Sequence, residues 1–339
     1  MAELVLMRKA YGEALVKLGQ SNPDVVALSA DVSNSDFSFM FQEAFPDRFF
    51  NVGIAEQSLV DVAAGLAYSG KIPFANTFAF LFATRALEMI RTHLCYGEAN
   101  VKLMATYAGI SDSFDGPTHH AITDIAILRS LPNMTVVVPG DTVAVAKLLP
   151  QVAEWKGPVY FRINRNEVPV LFDDTYQPVI GKAVRLRSGK DVTILCCGLM
   201  VSRSLEAAQK LAEQGIQAGV TEIHTIKPLD EQAILQAAQE TGALVTAEEH
   251  SILGGLGGAV AEVVCDRCPV PLKRVGLADR FAETGPYATL LDHYGMAVED
   301  IVKAAQKAVE QKERLAQKER LAQKERLAQK EKLAQKNEL

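Results

Sequence analysis

The chain has 339 residues, of which 48% are hydrophobic and 22% are charged, and its net charge is −6. This composition excludes overall disorder. The net negative charge argues against nucleic-acid binding, because proteins that bind nucleic acid carry an excess of Lys and Arg on the binding surface. No apolar run is long enough to cross a membrane, and the start MAELVLMRKA lacks the apolar segment of a signal peptide. We therefore expect a cytoplasmic protein that binds neither nucleic acid nor membrane.

The first part of the chain, to about Pro169, alternates apolar runs with amphipathic stretches. The pattern predicts one helix rich in small residues at 58–69, and strands at 24–32, 49–54, 101–109, 134–140 and 158–164. Continuous apolar strands separated by helices are typical of a parallel sheet that is covered on both faces. We expect a first α/β unit over 1–167.

Two prolines and two consecutive aspartates in 168–184 predict a linker. A second α/β unit over 185–310 follows, with strands at 191–198, 218–224 and 243–250 and helices at 202–214 and 230–241. The last strand leads into Gly254-Gly-Leu-Gly-Gly258. The acids Glu248 and Glu249 before it would repel a phosphate, so close backbone packing or a subunit contact is favoured there.

The tail, 311–339, repeats QKERLA with a period of six residues. Leucines six residues apart point in different directions around a helix and do not line one face, and a coiled coil needs a period of seven or eleven residues. We expect a solvated, frayed helix or a disordered segment. The five cysteines include one C-x-x-C, Cys265 to Cys268, without the second pair that a zinc site needs, which favours reduced packing cysteines.

The stretch Phe114-Asp-Gly-Pro-Thr-His-His120 concentrates an acid, a turn and two histidines. Adjacent histidines point in different directions, and no zinc-type spacing surrounds them, so a metal site is disfavoured. Asp-Gly-Pro predicts a turn. Glu56 stands where a helix begins, either as an acid favoured by the helix dipole or as a buried catalytic carboxylate.

Four stretches together resemble the transketolase family, in the same order and at similar spacing. They are NVGIAEQ at 51–57, TFAFLFATR at 77–85, DGPTH at 115–119 and LPNMTVVVP at 131–139. The stretch DGPTH together with TIKPLD at 225–230 narrows the resemblance to transketolase itself. The resemblance spans Arg8 to about Val309. It implies a pyrimidine-binding domain over 1–167 and the family's C-terminal domain over 185–310.

The resemblance implies roles for individual residues around a thiamine diphosphate cofactor. Glu56 would hydrogen-bond the aminopyrimidine ring, and Phe78, Leu81, Phe82 and Asp31 would also contact the cofactor. Asp115 and His119 would bind the sugar, with His119 at the reacting end. The residues that would hold the substrate's phosphate end are Arg8, Ser35, Tyr107 and Arg165.

Three positions depart from the family pattern. Tyr107 replaces a usual phosphate-contacting histidine, Phe114 replaces a usual glutamate, and His120 replaces a usual glutamine, so we assign His120 no catalytic role. Because Tyr107 replaces a residue that contacts the phosphate, the substrate could differ from the family's usual ones and be an altered or branched sugar phosphate.

The Gly-Asp-Gly stretch through which family members bind the diphosphate and Mg²⁺ is missing here, and we expect no metal ligands in this chain. The resemblance therefore implies a split transketolase, whose N-terminal subunit is a separate chain that binds most of the Mg²⁺, in an α2β2 assembly. The alternatives are a β-type subunit of a 2-oxoacid dehydrogenase, a deoxyxylulose-phosphate-synthase-like half, or a non-catalytic partner subunit.

Overall fold

The structure, a computed structural model, describes residues 3–337, with side chains at all of these except 327, 328 and 331–337. Fourteen strands are assigned within these residues. They are β1 (Leu4–Leu6), β2 (Val25–Ser29), β3 (Phe49–Asn51), β4 (Ile72–Phe78), β5 (Lys102–Thr106), β6 (Thr135–Val137), β7 (Val159–Arg162), β8 (Glu167–Pro169), β9 (Val184–Arg187), β10 (Val192–Cys196), β11 (Ala218–Glu222), β12 (Thr225–Lys227), β13 (Leu244–Ser251) and β14 (Leu272–Leu277).

The helices alternate with these strands. They are α1 (Met7–Ser21), α2 (Ser33–Asp36), α3 (Phe39–Ala44), α4 (Glu56–Tyr68), α5 (Ala79–Ala83), α6 (Leu87–Met89), α7 (Asp124–Ser130), α8 (Thr142–Glu154), α9 (Met200–Glu213), α10 (Glu231–Thr241), α11 (Leu256–Arg267), α12 (Tyr287–His293) and α13 (Val298–Asn337). A short 3₁₀ turn lies at Pro46–Arg48, and a π-helical segment lies at Ile90–Tyr96.

The first sheet has seven strands in the order β12-β6-β7-β5-β4-β2-β3. Its strands are parallel except β12, which runs antiparallel to β6. Helices α1 and α8 pack together in one apolar layer, and α4 packs with β4 and the π-helical segment in another. Strands β2 and β5 are buried along their whole length because helices cover both faces.

The second sheet has five strands in the order β14-β13-β10-β11-β9, and all neighbours are parallel except β9 with β11. Helices α9 and α13 pack against each other, and α10 packs against α11. The two-sheet α/β architecture confirms the predicted fold class.

Two connections tie the halves of the chain together. Strand β12, which follows the second unit's β11, completes the edge of the first sheet. The predicted linker begins with β8, which pairs with β1, and its Tyr176 is buried and donates a hydrogen bond to Glu222 at 2.7 Å. The linker is therefore packed against both halves of the chain.

The tail continues α13 without a break at Gln311. Ile301 and Ala305 are buried in the second half of the molecule, whereas Leu315 and Leu321 are exposed. The predicted solvated helix is confirmed as far as Arg326; the predicted side-chain exposure of Leu327 and Leu333 falls outside the described side chains, and Glu338 and Leu339 lie outside the described residues.

The cysteine prediction needs one correction. Cys95, Cys196 and Cys197 are buried free thiols, as expected, but Cys265 is exposed and does not pack in the core because it lies on the outer side of α11. No helix within residues 3–337 has the length and apolarity required to span a bilayer.

Candidate functional site

Most of the predicted site residues lie just beyond the carboxyl ends of parallel strands in the first sheet. Ligands of open α/β sheets bind at this edge, because loops from several strands converge there. The residues that follow each strand are Asp31 and Ser35 after β2, Glu56 after β3, Phe78 at the end of β4, Tyr107 after β5 and Arg165 after β7. One sheet edge therefore collects residues from distant parts of the sequence.

Glu56 is the first residue of α4, and only 2% of its side chain is exposed. The helix N-terminus stabilises a carboxylate at this position. Its Oε2 accepts a hydrogen bond from Arg85 Nη1 at 3.0 Å, and Arg85 is half exposed. Glu56 begins a helix, as the first interpretation of the sequence states, and it is buried, as the second states; its catalytic role stays a prediction.

The predicted pyrimidine-contacting residues differ in exposure. Phe78 is half-buried, and its ring centroid lies 4.1 Å from that of Tyr107. Leu81 is nearly buried, and Phe82 is fully enclosed by the apolar core under the sheet edge. Within this chain, Phe78 therefore offers ring surface to a ligand, and Phe82 supports the segment from behind.

Arg8, Ser35, Tyr107 and Arg165 meet in one cluster. Arg8 donates from Nη1 to the Ser35 carbonyl and to Tyr107 Oη, the latter at 3.3 Å, and from Nε to the Arg165 carbonyl at 3.0 Å. The guanidinium carbons of Arg8 and Arg165 lie 5.1 Å and 5.2 Å from the Tyr107 ring centroid. Two cations therefore share one buried aromatic ring, and Tyr107 itself adopts a left-handed backbone with φ of 62°.

A buried acid, Asp112, lies behind this cluster. Its Oδ1 is 3.5 Å from Arg165 Nε. Burial, with Asp115 as a further cause, raises the pKa of Asp112 to about 7. This acid therefore holds a proton over part of the neutral range.

The Asp-Gly-Pro turn forms as predicted. Gly116 has φ of 82°, and the His119 N–H donates to the Gly116 carbonyl at 2.9 Å. Asp115 is exposed, whereas His119 is half-buried with its ring 5.1 Å from Phe80 and its Nδ1 3.0 Å from the Thr118 hydroxyl. His120 is buried, and this burial lowers its pKa.

Asp31 is the most peripheral predicted cofactor residue. It is exposed, has φ of 63°, and accepts a hydrogen bond from Asn51 Nδ2 at 2.8 Å. The glycine-rich turn at 254–258 lies elsewhere. There Glu248 accepts the N–H groups of Leu256 and Gly257 at 2.7 Å each, so the acid occupies the start of α11. An added Cβ at Gly255 or Gly257 would overlap Glu248 or Arg274, as the close-packing interpretation expects.

Sequence reasoning assigned no role to three residues that contact the candidate site. Arg85 is within the quoted stretch 77–85 but pairs with Glu56 across 29 positions. Asp112 lies three residues before Asp115, and Glu249 reaches Ile110 from 139 positions away. Of these three residues, only Arg85 could have been singled out from the local sequence, because it is a charged residue at the end of the apolar run 77–85. Among the described side chains, no group of three or more His, Cys, Asp or Glu residues is arranged to hold a metal ion.

Comparisons with known proteins identify the family of this chain. The family model for the transketolase pyrimidine-binding domain matches residues 4–170, and that for the transketolase C-terminal domain matches residues 181–301. A 6-deoxy-6-sulfo-D-fructose transketolase subunit from Clostridium sp. (strain MSTE9) is 40% identical over 306 residues, covering 90% of this chain and 95% of the relative. A subunit of an apulose-4-phosphate transketolase from Phocaeicola vulgatus is 37% identical, covering 91% of this chain and 99% of the relative.

Solved structures give the same result. A split-gene transketolase described as an inactive β4 tetramer superposes with a TM-score of 0.85 at 48% identity, covering 90% of this chain and 98% of that chain. Transketolase from Leishmania mexicana has a TM-score of 0.77 at 21% identity and shares the fold; this chain covers 46% of its length. The chain therefore belongs to the transketolase family, and it is a C-terminal subunit of the split type, with a pyrimidine-binding domain followed by a transketolase C-terminal domain.

Proposed function

We propose that this subunit provides the pyrimidine side and the substrate pocket of a two-chain transketolase. The enzyme would transfer a two-carbon ketol unit from a ketose phosphate, or a related anionic ketose, to an aldose. The observation that carries the proposal is that the buried Glu56 carboxylate and the Arg8–Tyr107–Arg165 cluster lie at one sheet edge.

The residues at this edge fit the pyrimidine end of thiamine diphosphate. When bound, the cofactor supplies the nucleophilic carbon to which the two-carbon unit is transferred. Glu56 would hold a proton at the ring nitrogen of the pyrimidine by accepting a hydrogen bond from it. Its carboxylate suits this role because it is shielded from water and because the helix N-terminus stabilises its negative charge. Phe78 offers an aromatic face for the ring, and Leu81 extends the apolar surface. Asp31 would contact the cofactor from the periphery.

The substrate would lie between the turn at 115–119 and the arginine cluster. Asp115 would accept a hydrogen bond from a sugar hydroxyl. His119 would form a hydrogen bond, as donor or acceptor, with the oxygen atoms at the reacting end of the substrate. Arg8 and Arg165 would bind the terminal anion, with Ser35 and Tyr107 holding their positions. The names of the two relatives specify 6-deoxy-6-sulfo-D-fructose and apulose 4-phosphate, and the sulfonate and the phosphate of these sugars are both tetrahedral oxyanions that two guanidinium groups can bind.

The diphosphate and Mg²⁺ would be bound mainly by a separate N-terminal subunit. Support comes from relatives that are described as transketolase subunits and cover the same portion of the protein. We propose an assembly of two copies of each chain, acting in the cytoplasm on sugar phosphates such as those of the pentose phosphate pathway.

Substitution of Glu56 tests the cofactor role. In the assembled enzyme, Glu56→Ala should lower kcat by about 10²–10⁴-fold, the usual contribution of a positioned acid–base group. The control is Glu43→Gln, which removes an exposed carboxylate from α3 and should leave kcat unchanged. A near wild-type kcat for Glu56→Ala in a correctly assembled enzyme would show that the proposed proton placement is wrong.

A further inference from the structure

Glu249 reaches from the second half of the molecule into the loops of the candidate site. It lies in β13 of the second sheet, and it is 4% exposed. Its side chain extends to the loops that follow β5 and β7 of the first sheet. None of the roles described above uses this acid.

The Glu249 carboxylate accepts hydrogen bonds from both loops. Oε1 accepts the Ile110 N–H at 2.8 Å, and Oε2 accepts Asn164 Nδ2 at 3.1 Å and the Tyr287 hydroxyl at 2.8 Å. Gly109, with φ of 61°, lies so close that an added Cβ would overlap this carboxylate. The loop after β5 therefore rests directly on the acid.

These loops carry Tyr107 and Arg165, two of the four residues of the arginine cluster formed by Arg8, Ser35, Tyr107 and Arg165. Tyr107 is two residues before Gly109, and Arg165 directly follows Asn164. A further bond joins the loops, because the Arg165 N–H donates to the Ser111 hydroxyl at 3.2 Å. The backbones that hold the Tyr107 ring and the Arg165 guanidinium are therefore fixed to one carboxylate from the second domain.

We propose that Glu249 is a positioning residue that sets the distance between Tyr107 and Arg165 and thereby the affinity of the site for the terminal anion of the donor. The inference rests on the proposed function, since it assumes that the arginine cluster binds that anion. It assigns the C-terminal domain a part in substrate selection, exerted through a buried hydrogen-bond network and without contact to the substrate.

The test compares donors with and without a terminal anion in the assembled two-chain enzyme. Glu249→Gln keeps the size of the side chain but places an NH₂ group against the Asn164 amide and the Tyr287 hydroxyl. We expect kcat/KM for xylulose 5-phosphate to fall roughly ten- to a hundredfold, mainly through KM, as for other small displacements of positioning groups. With the uncharged ketose L-erythrulose as donor, kcat/KM should change by less than about twofold.

Two further variants separate positioning from general damage. The double variant Glu249→Gln with Asn164→Asp reverses the donor and acceptor of one bond, and it should recover most of the KM for xylulose 5-phosphate. Glu222→Gln makes the same change at a buried acid of the same sheet that touches neither loop, and it should leave both donors unaffected. If Glu249→Gln fails to fold, Tyr287→Phe replaces it, because this variant removes only one hydrogen bond to Glu249. It should also raise KM for xylulose 5-phosphate and leave kcat/KM for L-erythrulose nearly unchanged.

The outcomes distinguish this proposal from the proposed function. Wild-type enzyme that uses neither of these donors, nor a sulfonated or branched anionic ketose, would contradict the proposed function itself. Active wild-type enzyme, combined with variants whose losses are equal for the two donors, or with no loss for xylulose 5-phosphate, would overturn the positioning role of Glu249.

Discussion

Glu222 should make the stability of this protein fall as the pH rises, and Glu222→Gln should remove that dependence. Glu222 ends β11 with no exposed surface, and its Oε2 accepts the Tyr176 hydroxyl at 2.7 Å. Burial raises its pKa from 4.5 to about 8, and the neighbouring charge of Asp141 adds to the effect. The folded protein thus holds a proton that the unfolded chain loses above pH 4.5.

The sign follows from the folded pKa lying above the unfolded one. The stabilisation from Glu222 is complete below pH 4.5 and is lost as the pH rises toward 8. Each pH unit in this window is worth about 1.4 kcal/mol, so the interval from pH 5 to 8 corresponds to at most about 4 kcal/mol. Glutamine stays neutral at every pH and can still accept the Tyr176 bond, so Glu222→Gln avoids this loss.

Thermal unfolding of both proteins at pH 5.5 and pH 8.5, at one protein concentration, measures the difference. Other groups such as His224, whose pKa is lowered to about 4 by burial, contribute equally to both proteins and cancel. We expect similar Tm values at pH 5.5 and a variant Tm several degrees higher at pH 8.5. If the difference in Tm between the two proteins is the same at pH 5.5 and pH 8.5, the claim that Glu222 is protonated in the folded protein is wrong.

Three further changes test other parts of the structure. Tyr107→Phe removes the hydroxyl that accepts from Arg8, so KM for the anionic donor should rise about threefold to tenfold with kcat unchanged, and a change in kcat alone would contradict this role. Gly109→Ala should lower Tm by more than the control Gly157→Ala, since both glycines have positive φ but only Gly109 abuts Glu249, and equal losses would argue against the contact. Truncation after Lys312 keeps that residue's bonds to the Asp191 and Thr241 carbonyls and should leave Tm within about 2 °C and activity unchanged, whereas a loss of assembly would give the tail a structural role.

The local pattern of the sequence predicted most of the fold. Strands such as β2 and β10 are mainly apolar along their length, and their burial on both faces is the physical reason for this composition. Strand β12 was not predicted, because three residues at a sheet edge carry no periodicity and their pairing with β6 lies far away in the chain.

The candidate site was predictable only where residues match a known motif. Glu56, Phe78, Asp115 and His119 fall in such motifs, and their assigned roles remain predictions. Glu249 could not be found in this way, since its importance depends on contacts with residues more than 80 positions distant. Nonlocal hydrogen bonds of this kind are created by the packing of two domains, which leaves no signature in a local stretch.

The most direct test of the two-chain assignment uses this subunit alone and mixed with a candidate N-terminal subunit, a separate chain from the same organism that carries the Gly-Asp-Gly stretch of the diphosphate site. The assay is ketol transfer from xylulose 5-phosphate to ribose 5-phosphate with thiamine diphosphate and Mg²⁺, and sulfonated and branched ketoses are tested as alternative donors. We predict no turnover by either chain alone and turnover by the mixture. Turnover by this chain alone, or a mixture that forms a complex and binds cofactor but transfers from none of these donors, would contradict the account.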